Sequence, residues 1–202
     1  AAVGAATPNV FNLRSDIGLS DFHAKHIANV SWIWDLPMLS QGGPVVRAIT
    51  GGWQMNGLVN FRSGLPVNIV SGTDTALSGT SNQRPDVVGS PILSTDRPRA
   101  EQILAWFDRR VFVQPAAGTF GNTGRNALSG AGQAAMNMGL FRNFNLPGRE
   151  GLRLQFRSEF FNVTNRVNLG SPNGTLSAGA NMGRITSAGA ARVIQLAVKV
   201  AF

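Results

Sequence analysis

The sequence predicts an all-β fold: an antiparallel transmembrane β-barrel segment of about five strands, with long extracellular loops. Three observations lead to this class. Charged residues make up only 14% of the 202 residues, against about 25% in soluble globular domains. Several segments alternate apolar and polar residues with period two, and the connections between them alternate in length. Together these features are typical of a barrel that crosses a bilayer.

The predicted strands each present one apolar face, because side chains at alternate positions lie on the same side of a strand. The last segment, residues 192–202, has an apolar face made of Ile194, Leu196, Val198, Val200 and Phe202. Residues 152–160 repeat the pattern, with an apolar set that begins at Leu152 and a polar set made of Arg153, Gln155, Arg157 and Glu159.

Three further segments follow the same rule, at residues 26–36, 53–62 and 134–144. The middle one sets Trp53, Met55, Val59 and Phe61 against Gln54, Asn56, Asn60 and Arg62. In residues 134–144, Arg142 interrupts the apolar face near its end, where a long side chain can reach a membrane interface.

Strand length separates a barrel from the main alternative, a soluble β-sandwich. The predicted strands run about 9–11 residues, the length that crosses a bilayer as a tilted strand. Strands of soluble proteins average nearer 5–6 residues, and the outer faces of sandwiches carry more charge. The pattern therefore favours a transmembrane barrel over a sandwich.

The connections alternate as a barrel requires. Residues 145–151 form a tight turn around Pro147 and Gly148, and residues 37–52 form a moderate connection. Residues 71–132 and 166–191 are long and rich in Gly, Ser, Asn and Pro. If the last strand ends at the periplasm, every short turn falls on the periplasmic side and every long loop outside. A short solvated helix is predicted at residues 100–107 of the first long loop.

The two strand faces predict two sets of site residues. Aromatic side chains near the strand ends are predicted to lie at one membrane interface, because such rings suit that boundary; they are Trp32, Trp34, Trp53, Phe144 and Phe202. Polar side chains of the opposite face are predicted to line the barrel lumen; they are Asn56, Asn60, Arg62, Arg153, Gln155, Arg157 and Glu159.

Composition argues against enzymatic and nucleic-acid functions. The net charge is +8, but the basic residues are scattered, so no nucleic-acid partner is expected. The chain has no Cys, which removes thiolate chemistry. His23 and His26 at this spacing point to opposite faces of an extended chain, so no metal site is predicted. Asp96, Glu101 and Asp108 are interpreted as solvated charges, and no catalytic or cofactor-binding residue is predicted.

An ordered series of short motifs resembles the TonB-dependent receptors, in particular their Oar-like group. The resemblance spans nearly the whole chain, and its motifs are NLRSD at 12–16, SDFHAKH at 20–26, DLP at 35–37, GGWQMNG at 51–57, RSGLP at 62–66, NQRPD at 82–86, WFD at 106–108, GTFGN at 118–122, GRN at 124–126 and EFFN at 159–162.

The resemblance implies that residues 1–202 form the C-terminal portion, about the last five strands, of a plugged 22-stranded barrel. The plug and the earlier strands would then lie upstream. It implies energised uptake of a siderophore, oligosaccharide, peptide or similar nutrient across the bacterial outer membrane. The implied partners are outer-membrane lipid, the TonB complex through the upstream part, and the barrel-assembly machinery through the C-terminal strand. Two alternatives stay open: an unplugged porin or adhesin barrel, and a soluble secreted glycan-binding β-sandwich.

Overall fold

The computed structural model describes residues 9, 11–37, 43–146 and 152–202. The chain divides into two compact units. The first, the loop unit, comprises Ala1–Lys25, Ser63–Gly132 and Leu169–Ala188; the second, the sheet unit, comprises His26–Arg62, Gln133–Asn168 and Gly189–Phe202.

The described residues contain nine strands and two α-helices. The strands are β1 (Ile27–Asp35), β2 (Trp53–Arg62), β3 (Pro66–Val67), β4 (Asp86–Val87), β5 (Phe112–Val113), β6 (Leu128–Ser129), β7 (Gln133–Asn145), β8 (Arg153–Phe161) and β9 (Val193–Ala201). The helices are α1 (Pro44–Thr50) and α2 (Arg99–Leu104), with 3-10 helices at Leu13–Asp16, Arg109–Val111 and Leu176–Asn181.

The sheet unit is one antiparallel sheet of five long strands in the order β1-β2-β7-β8-β9. Each strand predicted from the period-two pattern is present, with ends that differ by at most one residue. The predicted all-β antiparallel class is therefore confirmed. Among the described residues β1 and β9 are the sheet edges, so closure into a barrel stays a prediction.

The strand register keeps apolar side chains on one sheet face. Paired residues of an antiparallel ladder share a face, and Trp34 lies opposite Met55, which lies opposite Leu140. Further along the sheet, Phe156 lies opposite Val198. Polar residues pair on the other face, as Asp35 does with Gln54. A slip of one residue would exchange the two faces.

Gly57 makes room for a tryptophan on the apolar face. It is buried in β2 and lies opposite Trp32 of β1. A Cβ atom at Gly57 would stand 2.0 Å from Cζ2 of the indole. Only glycine at this position lets the Trp32 ring lie flat across the neighbouring strand.

The loop unit has a hydrophobic core of its own. Its buried members come from Ser63–Gly132 and Leu169–Ala188 and are Val67, Ile69, Phe107, Phe112, Leu128 and Met182. Phe107 and Phe112 pack edge to face, with ring centroids 5.8 Å apart, an arrangement that aromatic quadrupoles favour. Two short ladders, β3 with β6 and β4 with β5, pair strands within Ser63–Gly132.

Three structural features bear on the predicted connections. The predicted helix at residues 100–107 is present as α2, which ends earlier, at Leu104. The connection at 37–52 contains α1, which the sequence pattern did not predict. The predicted tight turn at Pro147 and Gly148 lies outside the described residues. Across the described ranges, the helices are all too short to span a membrane.

Candidate functional site

The polar face of the sheet carries an open cleft of about 360 Å³. Four neighbouring strands and the residue before β2 supply its walls, which are Asp35, Gly52, Gln54, Asn56, Phe141, Asn143, Gln155 and Arg157. The period-two pattern explains this grouping, because alternate polar residues of adjacent strands fall side by side when the register is fixed.

Hydrogen bonds between strands hold the cleft side chains in place. The Gln54 amide donates to the Asp35 carboxylate at 2.9 Å, and the Gln155 amide donates to the Asn143 side chain at 2.9 Å. Arg157 donates to Glu159 at 3.0 Å, and its guanidinium carbon lies 5.2 Å from the Phe141 ring centroid. The cleft thus presents amides, one carboxylate and one cation, a surface suited to polar solutes.

The predicted lumen-facing residues all lie on this face by register. Asn56, Gln155 and Arg157 line the cleft itself, whereas Asn60, Arg62, Arg153 and Glu159 lie further along the strands. Arg62 donates to Gln133 at 2.8 Å. The structure therefore places the seven on one polar face, and their position in a barrel lumen stays a prediction.

Phe141 was missed by the sequence argument. It lies on the polar face opposite Arg157, although its residue type belongs to the apolar pattern. The sequence signal that could have identified it is the run Leu140, Phe141 and Arg142. In this run the alternation puts the aromatic residue on the polar face and the charged residue on the apolar face. The contact of Phe141 with Arg157 explains the exchange, because a guanidinium over a ring is electrostatically favourable.

The predicted interfacial aromatics lie at different points along the strands. Trp53 begins β2, Trp34 lies opposite Met55, and Trp32 lies opposite Gly57. The three tryptophans are therefore spaced along the register by two residues each. Phe144 lies near the end of β7, and Phe202 follows β9 and is 87% exposed. Their depth in a membrane stays a prediction.

Motif residues of the loop unit are joined by buried polar contacts. Arg84, which is 6% exposed, donates to the Asp16 carboxylate at 2.7 Å. The Asn126 amide donates to Leu19 O and to the Asp21 carboxylate, both at 2.7 Å. The Asn126 hydrogen bond, opposed by burial and aided by Arg125, lowers the pKa of Asp21. These contacts are structural, because a buried polar group needs a partner.

A second cavity, of about 290 Å³, lies within the loop unit. Ile92, Leu93, Trp106 and Leu128 contribute apolar walls. Arg97 donates to Ser94 O and Ala105 O at 3.0 and 2.9 Å. Its guanidinium therefore joins two backbone segments beside the cavity. The cavity therefore offers mainly apolar surface to a small solute.

The acidic residues considered from the sequence do not form a metal cluster in the part of the chain that the structure describes. Asp108 instead caps the 3-10 helix Arg109–Val111. Its carboxylate accepts from Arg110 N at 3.0 Å and from the Arg110 guanidinium at 3.0 and 2.9 Å. These hydrogen bonds lower the pKa of Asp108 to about 2.

A family model described as an outer membrane beta barrel domain matches residues 1–195. The chain belongs to this family. The match covers β1, β2, β7 and β8, the connections between the long strands and the first three residues of β9, and it places the outer membrane barrel domain in the bacterial outer membrane. Comparison with curated proteins and with solved structures gives no match.

Membership in this family assigns an environment to the two sheet faces. In an outer membrane barrel the lipid-facing side is the apolar one and the interior is polar. On the edge strands β1 and β9 the apolar face is exposed, with Val30, Leu196 and Val198 at 57%, 67% and 64%. Contact with lipid hydrocarbon accounts for this exposed apolar surface, which a soluble protein would bury.

Proposed function

We propose that this barrel domain is part of a TonB-dependent receptor of the Oar-like group that takes up a nutrient by energised transport. The observation that supports the proposal is the meeting of its motifs in the loop unit. Asp86 of NQRPD accepts from Asn122 N at 2.9 Å, and Asn122 of GTFGN accepts from Val87 N at 2.7 Å. Two motifs that are far apart in the sequence are thus hydrogen-bonded to each other in the loop unit.

The proposed role divides between the two units. The polar sheet face, with Arg157 and Gln155, forms part of the lumen wall through which the solute passes. The loop unit forms part of the extracellular mouth and offers its cavity beside Trp106 for initial contact. The TonB complex engages a segment outside the 202 residues, and the proposed role is not enzymatic.

The proposal is tested by uptake in the bacterium that encodes the protein. Deleting the gene should impair growth on one nutrient from a panel of siderophores, oligosaccharides, peptides and cobalamin. Deleting the TonB gene should reproduce that defect, and a protonophore should stop accumulation while leaving binding to the cells intact. Accumulation that continues with the protonophore would indicate an unplugged porin. Cell adhesion without uptake would indicate an adhesin.

The final strand supports a second partner in the proposal, the barrel-assembly machinery. Phe202 continues the apolar face of β9 set by Val198 and Val200. The exposed Phe202 ring can be bound before the barrel closes. Deleting Phe202 should lower the amount of folded protein in the outer membrane and leave the affinity of the folded fraction unchanged. Normal levels and rates of assembly would contradict this role.

A further inference from the structure

Arg142 is a charged residue on the apolar face of the sheet. The register places it between Trp53 of β2 and Phe156 of β8. Arg142 is nevertheless only 8% exposed, whereas apolar residues of this face on the edge strand β9, such as Val198, are more than half exposed. Something therefore shields this guanidinium from the surrounding lipid, because an uncovered charge in hydrocarbon is costly.

Two rings and the end of α1 provide the shield. The guanidinium carbon of Arg142 lies 4.3 Å from the Phe144 ring centroid and 5.3 Å from that of Trp53. The Arg142 Nη1 atom donates a hydrogen bond to Ile49 O in the last turn of α1. Trp53 packs edge to face on Phe156, with centroids 6.0 Å apart, which extends the covered patch along the sheet.

The carbonyl oxygen of Ile49 accepts a second hydrogen bond. Trp53 Nε1 lies 2.9 Å from Ile49 O, so an indole and a guanidinium converge on one acceptor. Carbonyls in the last turn of a helix lack partners within the helix and carry partial negative charge. Both donors belong to the lipid-facing side of the sheet, and α1 is therefore anchored over that side at the strand ends.

The helix itself presents an apolar face. Ile49 lies four residues after Val45 and three after Val46, so at 3.6 residues per turn the three side chains fall within an arc of about 100°. They are 70%, 42% and 61% exposed. Proline at the first turn starts the helix, and Gly51 and Gly52, the latter with φ 76°, end it. Sequence signals thus build a short amphipathic helix in a connection between two strands.

We propose that α1 lies in the interface of the outer membrane, with Val45, Val46 and Ile49 inserted among the lipid chains, and that Arg142 anchors it there. The occupant of the exposed helix face is lipid, because that face continues the lipid-facing surface of the sheet through Ile49, Trp53 and Arg142. Indole rings prefer this depth of a membrane, and amphipathic helices bind in its plane. The inference rests on the outer membrane location and is independent of energised transport.

The depth of α1 can be measured in the full-length barrel protein, reconstituted in vesicles of phosphatidylethanolamine and phosphatidylglycerol. The 202 residues contain no Cys, so Val46→Cys adds a unique site here for an environment-sensitive fluorophore, once cysteines elsewhere are replaced. Leu104→Cys is the matched control, because Leu104 is an exposed apolar residue, at 54%, on the short helix α2 of the loop unit.

The label at residue 46 should be quenched by a nitroxide at the lipid headgroups and protected from aqueous iodide. The label at residue 104 should show the reverse. Equal iodide quenching at residues 46 and 104 would overturn the proposal, because α1 would then lie in water. Protection of residue 46 from both quenchers would also overturn it, because protein would then cover the helix.

Anchoring by Arg142 is tested on the same labelled protein. Arg142→Met should abolish lipid quenching at residue 46, and Arg142→Lys should retain it, since an ammonium can still donate to Ile49 O. Heat-dependent migration in detergent gels reports whether each variant folds. If Arg142→Met does not fold, Arg142→Gln, whose shorter side chain ends before the position of the Arg142 guanidinium, should reduce the quenching. Full quenching in folded Arg142→Met or, in its place, folded Arg142→Gln would overturn the anchor.

Discussion

The loop unit and the sheet unit treat apolar side chains in opposite ways. Ile69 and Phe107 of the loop unit are 0% and 2% exposed, and the described hydrophobic core lies in that unit. Leu196 and Val198 of β9 are 67% and 64% exposed. Both units obey the same rule, because apolar surface avoids water. The loop unit buries it in protein, whereas the sheet unit presents it to lipid.

The comparison extends to charge. The loop unit buries Arg84 against Asp16 and holds Asn126 against Asp21, as a water-soluble fold does with polar groups that lose solvent. The sheet unit collects its polar groups on one exposed face, and its exceptional Arg142 on the other face is covered by rings and a helix carbonyl. The surroundings of each unit, water or lipid, thus determine which polar side chains need a partner within the protein.

The largest expected effect comes from emptying the core of the loop unit. Phe107→Ala should lower the free energy of unfolding of that unit by about 3–5 kcal/mol, through lost burial and a residual cavity. Hydrogen exchange of amides in residues 63–132 of the reconstituted full-length protein measures the change. Leu104→Ala is the control, because Leu104 is half exposed and should change little. Equal exchange in the two variants would contradict a packed core in this unit.

The next effect tests the lipid-facing side of the sheet with neighbouring substitutions. Leu196→Arg should lower the free energy of unfolding in vesicles by about 2–4 kcal/mol if Leu196 lies near the bilayer midplane. Gln195→Arg adds the same side chain to the polar face, opposite Glu159, and should be tolerated. Urea unfolding in vesicles measures both. A larger loss for Gln195→Arg would show that the faces have been assigned the wrong way round.

A smaller effect tests the polar contacts of the loop unit. Asn126 is 3% exposed, has φ 52° and donates to Leu19 O and Asp21. Asn126→Ala should destabilise the loop unit by about 1–3 kcal/mol through the lost hydrogen bonds, plus roughly 1 kcal/mol for a left-handed alanine. Asn126→Gly should avoid the cost of the left-handed alanine. Identical hydrogen exchange in the alanine and glycine variants would therefore exclude backbone strain.

The sequence predicted the sheet well because its signal is periodic. Residues such as Leu154, Phe156 and Val198 fix a face and a register through simple alternation, and the observed strand ends agree within one residue. Arg142 was correctly placed on the apolar face, near the end of its strand. Its partner at Ile49 could not be foreseen, because α1 was read as part of a loop.

The rest of the structure depends on contacts that leave no local pattern. The ladders β3 with β6 and β4 with β5 contain two residues on each strand, too few to show a period. The helix α1 spans seven residues, less than two full turns, so only Pro44 and the Gly51-Gly52 pair could have indicated it. The loop unit core was missed because its members come from distant segments.

The smallest expected effect concerns acid, and it is predicted for the loop unit. Asp21, Asp74 and Asp108 have lowered pKa values, and all three belong to the loop unit. The pKa of Asp108 is lowered to about 2 by hydrogen bonds and charge from Arg110, from a reference value of 3.8. Because the folded pKa is the lower one, ionised Asp108 stabilises the fold above the reference value. That contribution is lost as pH falls through the folded pKa.

Asp108→Asn removes this contribution at every pH. At pH 5 the loop unit of the variant should be cleaved faster than wild type by pepsin, because the helix cap and the contact with Arg110 are weakened. The difference should shrink as pH falls from 3.8 towards 2, where the wild-type carboxyl is itself protonated. Comparing both proteins at each pH cancels the pH dependence of the protease. The effect should be small, because the Arg110 side chain is 83% exposed and solvent screens the pair. A difference that stays constant from pH 5 to pH 2 would show that Asp108 acts through packing and not through its charge.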